Sequence, residues 1–562
     1  MRRHVFSFLC VAFLLFSLFP TLYELGNQAA LRPNRAFELV HNFPTDYNFY
    51  LSRIRQGIEG RTTVVEKYTS ELHEGSAIHG FYLLLGRVGQ WVRVPWGRSG
   101  DVYHVARIVF GFALLSLIIE FARHSFQRFS WQVIAFILAV TASSWPKLVW
   151  VEGVPRFGGY MPWWSVMDSL QRITFIPHLL VGQGLLLFLI MAGSNETVLR
   201  RPGNWIYLGF LGFLLGMVFP PGFIFVGVTY GVVILLEVLF VNGAKTMRSY
   251  FSMIVPRLVI MSMGLPALLY LFLMTSFYPW KRLAEQDILH PLTFQYGEYF
   301  LAVGPILPIG LAGLFLALLF RERRMFAAAA WVISWLVLLF IFQFIPAQSP
   351  LRFSEMIPHV PLGVLTAYLF MQALSVCKKR FPHSVVSLFA FRLPAQAGFP
   401  LSVLILLGFS TMASSYLWQK DFIDHKIRAE FPLVPTGSYV MYPLKDFIAG
   451  IQKLQDLSPR DMVILSETTA GNYMPVHSGN TVYVGHDNTV ASEVKKELVA
   501  QFFRGQMNQD EAYEWLRINR IGFIFFGPQE KEDGGIQDLR ELYSFLEEAY
   551  KNGYVTLYRV SL

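Results

Sequence analysis

Runs of about 20 apolar residues recur from Val5 to Leu417, the pattern of a chain whose main solvent is hydrocarbon. Inside a bilayer no water pairs with backbone N–H and C=O groups. An apolar segment must therefore close its hydrogen bonds within a helix or a closed barrel, and runs of this length read as helices. Charged residues fill only 15% of the 562 positions, where a soluble domain carries roughly a quarter, and the mean hydropathy is +0.42. About eleven spanning helices are expected, at residues 5–22, 102–121, 131–150, 173–191, 205–219, 222–241, 258–277, 299–320, 325–345, 359–376 and 401–417. The expectation is a polytopic α-helical membrane domain over 1–418, followed by a polar α/β domain over 419–562.

Positive charge orients these segments. One further stretch, 78–92, is apolar but short, and it is interrupted by Gly86, Arg87, Gly89 and Gln90. If it does not span and the N-terminus is cytoplasmic, the inner loops gather Arg2, Arg3, Arg123, Arg128, Arg200, Arg201, Arg321, Arg323, Arg324 and the basic run 378–380. The short outer loops then hold only Arg156, Arg172, Lys281, Arg282 and Arg352. Spanning by 78–92 would invert every later loop and reverse the bias. Residues 24–101 therefore form one long outer loop, with 78–92 lying along the membrane as a juxtamembrane helix. The expected location is the cell (plasma) membrane, multi-pass, with a cytoplasmic N-terminus and an extracytoplasmic C-terminal domain. The first apolar run reads as a signal anchor, since it is long and Asn27-Gln28-Ala29-Ala30 is a poor cleavage site. The net charge of +9 belongs to this topology signal and implies no nucleic-acid partner.

The polar C-terminal part has β-favouring runs at 462–465, 482–485, 523–526 and 555–560, and helical stretches at 444–457, 491–503, 509–516 and 536–549. Thr489 is placed to cap the helix at 491–503. The two cysteines, Cys10 and Cys377, both lie in the apolar part, so the C-terminal domain has no disulfide, zinc knuckle or thiol nucleophile.

Ionisable residues concentrate in the outer loops. The first outer loop carries Asp46 just past the first apolar run, with Arg53, Arg55, Glu59, Glu66, Glu71 and His73 after it; the next helix opens on His104 and Arg107. The second loop holds Glu152, Arg156, Asp168 and Arg172 among Tyr160, Trp163 and Trp164, with His178 just beyond; Arg352 stands in a later loop. A carboxylate at the membrane surface can take a proton from a hydroxyl. Arg and His around it can steady a phosphate that gains charge as it leaves. The same residues also suit solvated loops and interface anchors, and spacing alone does not choose.

Four stretches carry a resemblance. They are Asp46-Tyr47-x-x-Tyr50-Leu51 to Gln56-Gly57, then Tyr68-Thr69-Ser70-Glu71-x-His73, then Phe81 to Gly86 with Tyr103-His104-x-Ala106-Arg107. Together they resemble the N-terminal half of the GT-C superfamily of membrane glycosyltransferases, in particular bacterial members related to protein O-mannosyltransferases and aminoarabinose transferases. The likeness covers roughly the first 190 residues by motif and the rest by architecture. The stretch Glu467 to Pro475 with Gly479, Gly485-His486 and Thr489 is similar to the outer tails of the same proteins.

The resemblance implies transfer of a sugar from a polyprenyl-phosphate donor to an acceptor hydroxyl at the outer face. Asp46 would be the base or a metal ligand, and Arg107 the phosphate partner. Arg53, His104, Arg172, His178 and Arg352 are further candidates for donor binding. A divalent cation is a possible cofactor, held by Asp46, Glu152 and Asp168, although His178 stands where members of the superfamily often place a second acid. The partners implied are the lipid-linked donor, the bilayer, and a glycan, lipid or protein acceptor. The alternative is a transporter, flippase-like or assembly protein of cell-envelope glycan export. Transporters keep ionisable residues near the bilayer midplane, whereas here Glu120 and Glu237 lie near helix ends.

Overall fold

The computed structural model describes residues 2–240, 246–290, 294–345, 349–380, 385–388, 391–436 and 441–561. In chain order the elements begin with α1 (Arg2–Ser17), α2 (Phe19–Gly26), α3 (Pro44–Ile58), α4 (Gly80–Trp91), α5 (Ser99–Ser125) and α6 (Phe129–Thr141). A hairpin of β1 (Lys147–Val151) and β2 (Val154–Gly158) follows, then α7 (Pro177–Gly193), α8 (Glu196–Leu199), α9 (Pro202–Val218), α10 (Pro220–Phe240), α11 (Met247–Met274) and α12 (Lys281–Leu289). Next come α13 (Tyr296–Val303), α14 (Ile306–Leu319), α15 (Phe326–Ile341), α16 (His359–Arg380), strands β3 (Val385–Leu388) and β4 (Phe391–Pro394), and α17 (Ala395–Arg428). The chain closes with α18 (Lys445–Leu457), β5 (Val463–Leu465), α19 (Thr468–His477), β6 (Thr481–Val482), α20 (Ser492–Phe503), α21 (Gln509–Ile518), β7 (Ile521–Phe526), α22 (Pro528–Gly534), β8 (Leu546–Lys551) and β9 (Thr556–Val560).

Among the described residues six helices are long and apolar enough to cross a membrane, or eight if the bent pairs α1–α2 and α13–α14 each count as one span. Three shorter apolar helices, α6, α7 and α9, lie among them. The expected span 131–150 is corrected. The helix stops at Thr141, and Lys147 to Trp150 belong to β1, which pairs with β2 from Lys147↔Gly158 to Val151↔Val154. Pro146 is the reason: it cannot continue a helix and holds the preceding residue extended. Helix α4 has 12 residues, about 18 Å of rise, too short for a 30 Å hydrocarbon core.

The described residues divide into two units. The first comprises 1–19, 107–271 and 290–419 and is built of apolar helices. Its α14 and α16 cross closely because Gly310 and Gly313 leave room: a Cβ on Gly313 would lie 2.1 Å from the Leu365 carbonyl oxygen. Small residues allow this approach where no hydrophobic drive exists between helices.

The second unit gathers 20–106, 272–289 and 420–562. Its sheet runs β6-β5-β7-β9-β8, with β5 parallel to both β6 and β7, and β9 antiparallel to β7 and β8. The expected strands at 462–465, 523–526 and 555–560 and helices at 444–457, 491–503 and 509–516 are present within a few residues. The expected helix 536–549 is not: Leu546–Lys551 is strand β8. Its Leu and Glu content favours helix, but Leu546 pairs with Val560 and packs into the apolar cluster under the sheet, so tertiary pairing overrides propensity. Thr489 does not cap α20, because its hydroxyl donates to the Tyr68 carbonyl and the helix starts at Ser492.

The opposite face of this sheet is covered by Phe447, Ile451 and Tyr473, and by Phe49 and Tyr68 from the first outer loop. α3 and α4 are pressed together at Gly57 and Gly86, where a Cβ would come 2.1 Å from Leu83 O and 2.0 Å from Ile54 O respectively. No larger residue fits at either crossing point without moving a backbone.

Candidate active site

Pro44 opens α3 with the fixed φ of a first-turn proline, and Asp46 stands in that first turn, where the helix dipole favours a carboxylate. Helix α3 is seated by its side chains. Asn48 Nδ2 donates to Asn472 Oδ1 at 2.9 Å, and Arg55 donates to the Val476 and Ser478 carbonyls at 2.7 and 2.9 Å, at the C-terminal end of α19. Asp46 is thereby held with its side chain 51% exposed, 3.6 Å from Nε2 of the buried His486.

The imidazole has a defined orientation. The backbone N–H of Asn488 lies 3.1 Å from His486 Nδ1, and since an N–H can only donate, Nδ1 accepts. The neutral ring then carries its proton on Nε2, facing Asp46. It is stacked on Phe49 at 4.6 Å and lies 5.6 Å from the Tyr68 ring. The Nε2 edge of His486 thus faces the Asp46 carboxylate at 3.6 Å, beyond hydrogen-bond range. Its sequence signal, a Gly-His pair after a strand, also fits a tight turn; tertiary contact alone gives it this place. Nearby on α5, His104 Nε2 lies 2.8 Å from the Leu39 carbonyl and 3.2 Å from the Tyr47 hydroxyl.

Arg53 turns the other way. It is fully buried, paired with Glu66, and its guanidinium lies 3.5 Å over the Phe49 ring while Nη1 donates to the Phe49 carbonyl. Its charge serves the interior of the loop.

The other expected site residues lie in the helical unit. Arg107 is buried and donates through Nε to the Thr174 carbonyl at 2.8 Å. Arg172 is buried and donates to the carbonyls of Val140 and Ala142, at 3.2 and 2.7 Å, which end α6. A guanidinium there satisfies orphan carbonyls at the negative end of the dipole. His178 is half-buried in the first turn of α7, and Arg352 is half-buried in the short helical turn Pro350–Met356.

Of the residues expected to hold a cation, Glu152 and Asp168 lie in the helical unit. Glu152 is exposed at the β1–β2 turn with φ 50°. The Asp168 carboxylate already accepts from Leu170 N, Gln171 N, Gln171 Nε2 and the Ser415 hydroxyl. Among the described residues no three His, Cys, Asp or Glu side chains group as a metal site requires.

Two buried carboxyls sit where β5 and β7 end. Glu530 accepts from the backbone N–H groups of Glu467 and Gly527. Burial, with Asp533 adding to it, pushes the Glu467 carboxyl up to about 7. A raised carboxyl favours the neutral form in the fold. Its stabilisation is full below about pH 4.5 and is lost as pH rises through about 7. Glu467→Gln is therefore expected to leave the unfolding midpoint unchanged near pH 4.5 and to raise it at pH 8, by the equivalent of at most about 3 kcal/mol. Thermal unfolding of the solubilised protein at both pH values measures this; equal shifts at the two would disprove the assignment.

The fold is similar to that of solved oligosaccharyltransferase and ArnT structures. Three solved structures carry the likeness. The archaeal oligosaccharyltransferase AglB from Archaeoglobus fulgidus, in complex with an inhibitory peptide and a dolichol-phosphate, matches with TM-score 0.51 at 11% identity, over 93% of this chain and 69% of that one. The same organism's oligosaccharyltransferase, tethered to an acceptor peptide containing the NVT sequon, matches with TM-score 0.51 at 12% identity, over 98% and 74%. ArnT from Cupriavidus metallidurans in the apo state matches with TM-score 0.50 at 12% identity, over 99% of this chain and 98% of that one. No protein-family profile matches the sequence. A search of curated proteins finds no match either.

Proposed function

We propose that the protein transfers a sugar from a polyprenyl-phosphate donor to an acceptor hydroxyl, with Asp46 as general base. The observation that carries this is the Asp46 carboxylate itself: half-exposed, set in the first turn of a helix seated by its side chains, and 3.6 Å from the buried His486 ring. The GT-C fold supports it, and so does the dolichol-phosphate bound by one structural neighbour. In the reaction Asp46 takes the acceptor's hydroxyl proton as that oxygen attacks the anomeric carbon. The bond from that carbon to the phosphate oxygen breaks, and the lipid phosphate leaves with the bonding pair. His486 Nε2 stands 3.6 Å from the carboxylate and lines the same place. For the donor phosphate the candidates remain Arg107, His104, Arg172, His178 and Arg352, to be tested singly by donor KM; Arg53 has its guanidinium engaged by Glu66 and Phe49.

Purified protein in lipid nanodiscs, given labelled polyprenyl-phosphate sugars and envelope extract, tests the reading. A labelled glycosidic product is expected. Movement of intact sugar-lipid with no glycosidic bond would instead favour the transporter alternative.

The charge distribution supports a cytoplasmic N-terminus and an extracytoplasmic 419–562 region as part of this proposal. An impermeant thiol reagent added to intact cells should label Glu497→Cys and leave Glu196→Cys unlabelled. The opposite pattern rejects that orientation. Both positions are exposed.

A further inference from the structure

Among the described residues, one face of the β1–β2 hairpin is largely exposed. The pairs Leu148↔Phe157 and Trp150↔Pro155 place these four residues on the same side. Leu148, Trp150 and Phe157 are 55%, 67% and 66% exposed. The other side holds Val149 and Arg156, with the Arg156 guanidinium 5.8 Å from the Trp418 ring. A two-stranded ribbon with one face in water should show polar side chains there. Here every outward residue between the strand ends is apolar.

The hairpin's depth is set by α17. Trp418 Nε1 and the Ser414 hydroxyl both donate to the Phe157 carbonyl, at 2.8 and 2.6 Å. Val403, Leu406 and Leu417 are exposed apolar positions along α17. The chain then turns polar at Gln419, Lys420 and Asp421, so Trp418 marks the end of the apolar run. The hairpin is tied to that level. Flanking it, Trp163 is 55% exposed and the exposed Lys147 lies 5.2 Å over the Tyr160 ring. Trp, Tyr and snorkelling Lys are the residues of the membrane–water interface.

We propose that the Leu148–Trp150–Phe157 face of this hairpin is a lipid-binding surface, inserted among phospholipid headgroups at the bilayer boundary. The outward apolar side chains reach the upper acyl carbons. The hairpin thereby anchors the loop that carries Asp168 and Arg172 to the membrane surface. This inference is independent of the proposed enzymatic reaction.

An environment-sensitive NBD label tests it in full-length protein reconstituted in phosphatidylcholine–phosphatidylglycerol vesicles. The background is Cys377→Ala, Cys10 being buried. Labelled Trp150→Cys should lose emission with lipids spin-labelled at the headgroup or the 5-position, and keep it with aqueous iodide. Labelled Glu497→Cys should show the reverse. Quenching at 150 by iodide alone, or strongest quenching by lipid labelled deep in the acyl chain, would overturn the proposal. Phe157→Cys, on the same face, repeats the measurement should the change at 150 prevent insertion.

Discussion

Asp46→Asn is expected to leave the protein folded and inserted while reducing sugar transfer by about 10²–10⁴-fold, the usual contribution of a general base. The amide matches the carboxylate in shape but cannot accept the hydroxyl proton. Because the side chain is half-exposed and its closest charged partner stands at 3.6 Å, stability should change little. His486→Gln should cost less, since it removes the imidazole beside the carboxylate but leaves the base in place. Initial rates with labelled donor, alongside thermal unfolding of each variant, separate loss of chemistry from loss of fold. Transfer at the unmodified rate in Asp46→Asn would remove this residue from the mechanism.

The second large effect is on stability. Arg53 and Glu66 form an ion pair whose side chains are 0% and 3% exposed. Glu66 also accepts from the Tyr68 N–H at 3.1 Å. Arg53→Ala leaves that carboxylate buried without its cation and opens a void under Phe49. The expected cost is about 3–5 kcal/mol. Lys at 53 should recover only part of it, because a point charge lacks the planar fork that pairs with Glu66 and covers the Phe49 ring. Arg53→Met combined with Glu66→Gln should be less damaging than Arg53→Ala alone, since no lone charge remains inside. Denaturation midpoints of the four proteins test the set; a change under about 0.5 kcal/mol for Arg53→Ala would mean the pair is replaced by water.

These predictions draw unequally on sequence. The apolar periods, Pro44 at the head of α3 and the position of Asp46 just past the first apolar run are local features, readable without a structure. The C-terminal strands at 463–465 and 521–526 were legible for the same reason: short apolar runs bounded by turns have few other uses. Arg53 and His486 were not so readable. An arginine in an outer loop looks the same on paper whether it faces solvent or a buried glutamate, and a Gly-His turn looks the same whether its ring meets solvent or a carboxylate.

By itself the sequence determined the solvent of this chain, its alternation of apolar helices with polar loops, and the acid at the start of α3, because burial in hydrocarbon and helix initiation act over neighbouring residues. Only the tertiary structure decided that residues 20–106 share a unit with residues 420–562. It alone placed His486 beside Asp46 across 440 positions and turned 546–551 into an edge strand. Each of these depends on which distant surface is there to be covered or paired. That choice depends on contacts between residues far apart in the chain, and local pattern does not encode them.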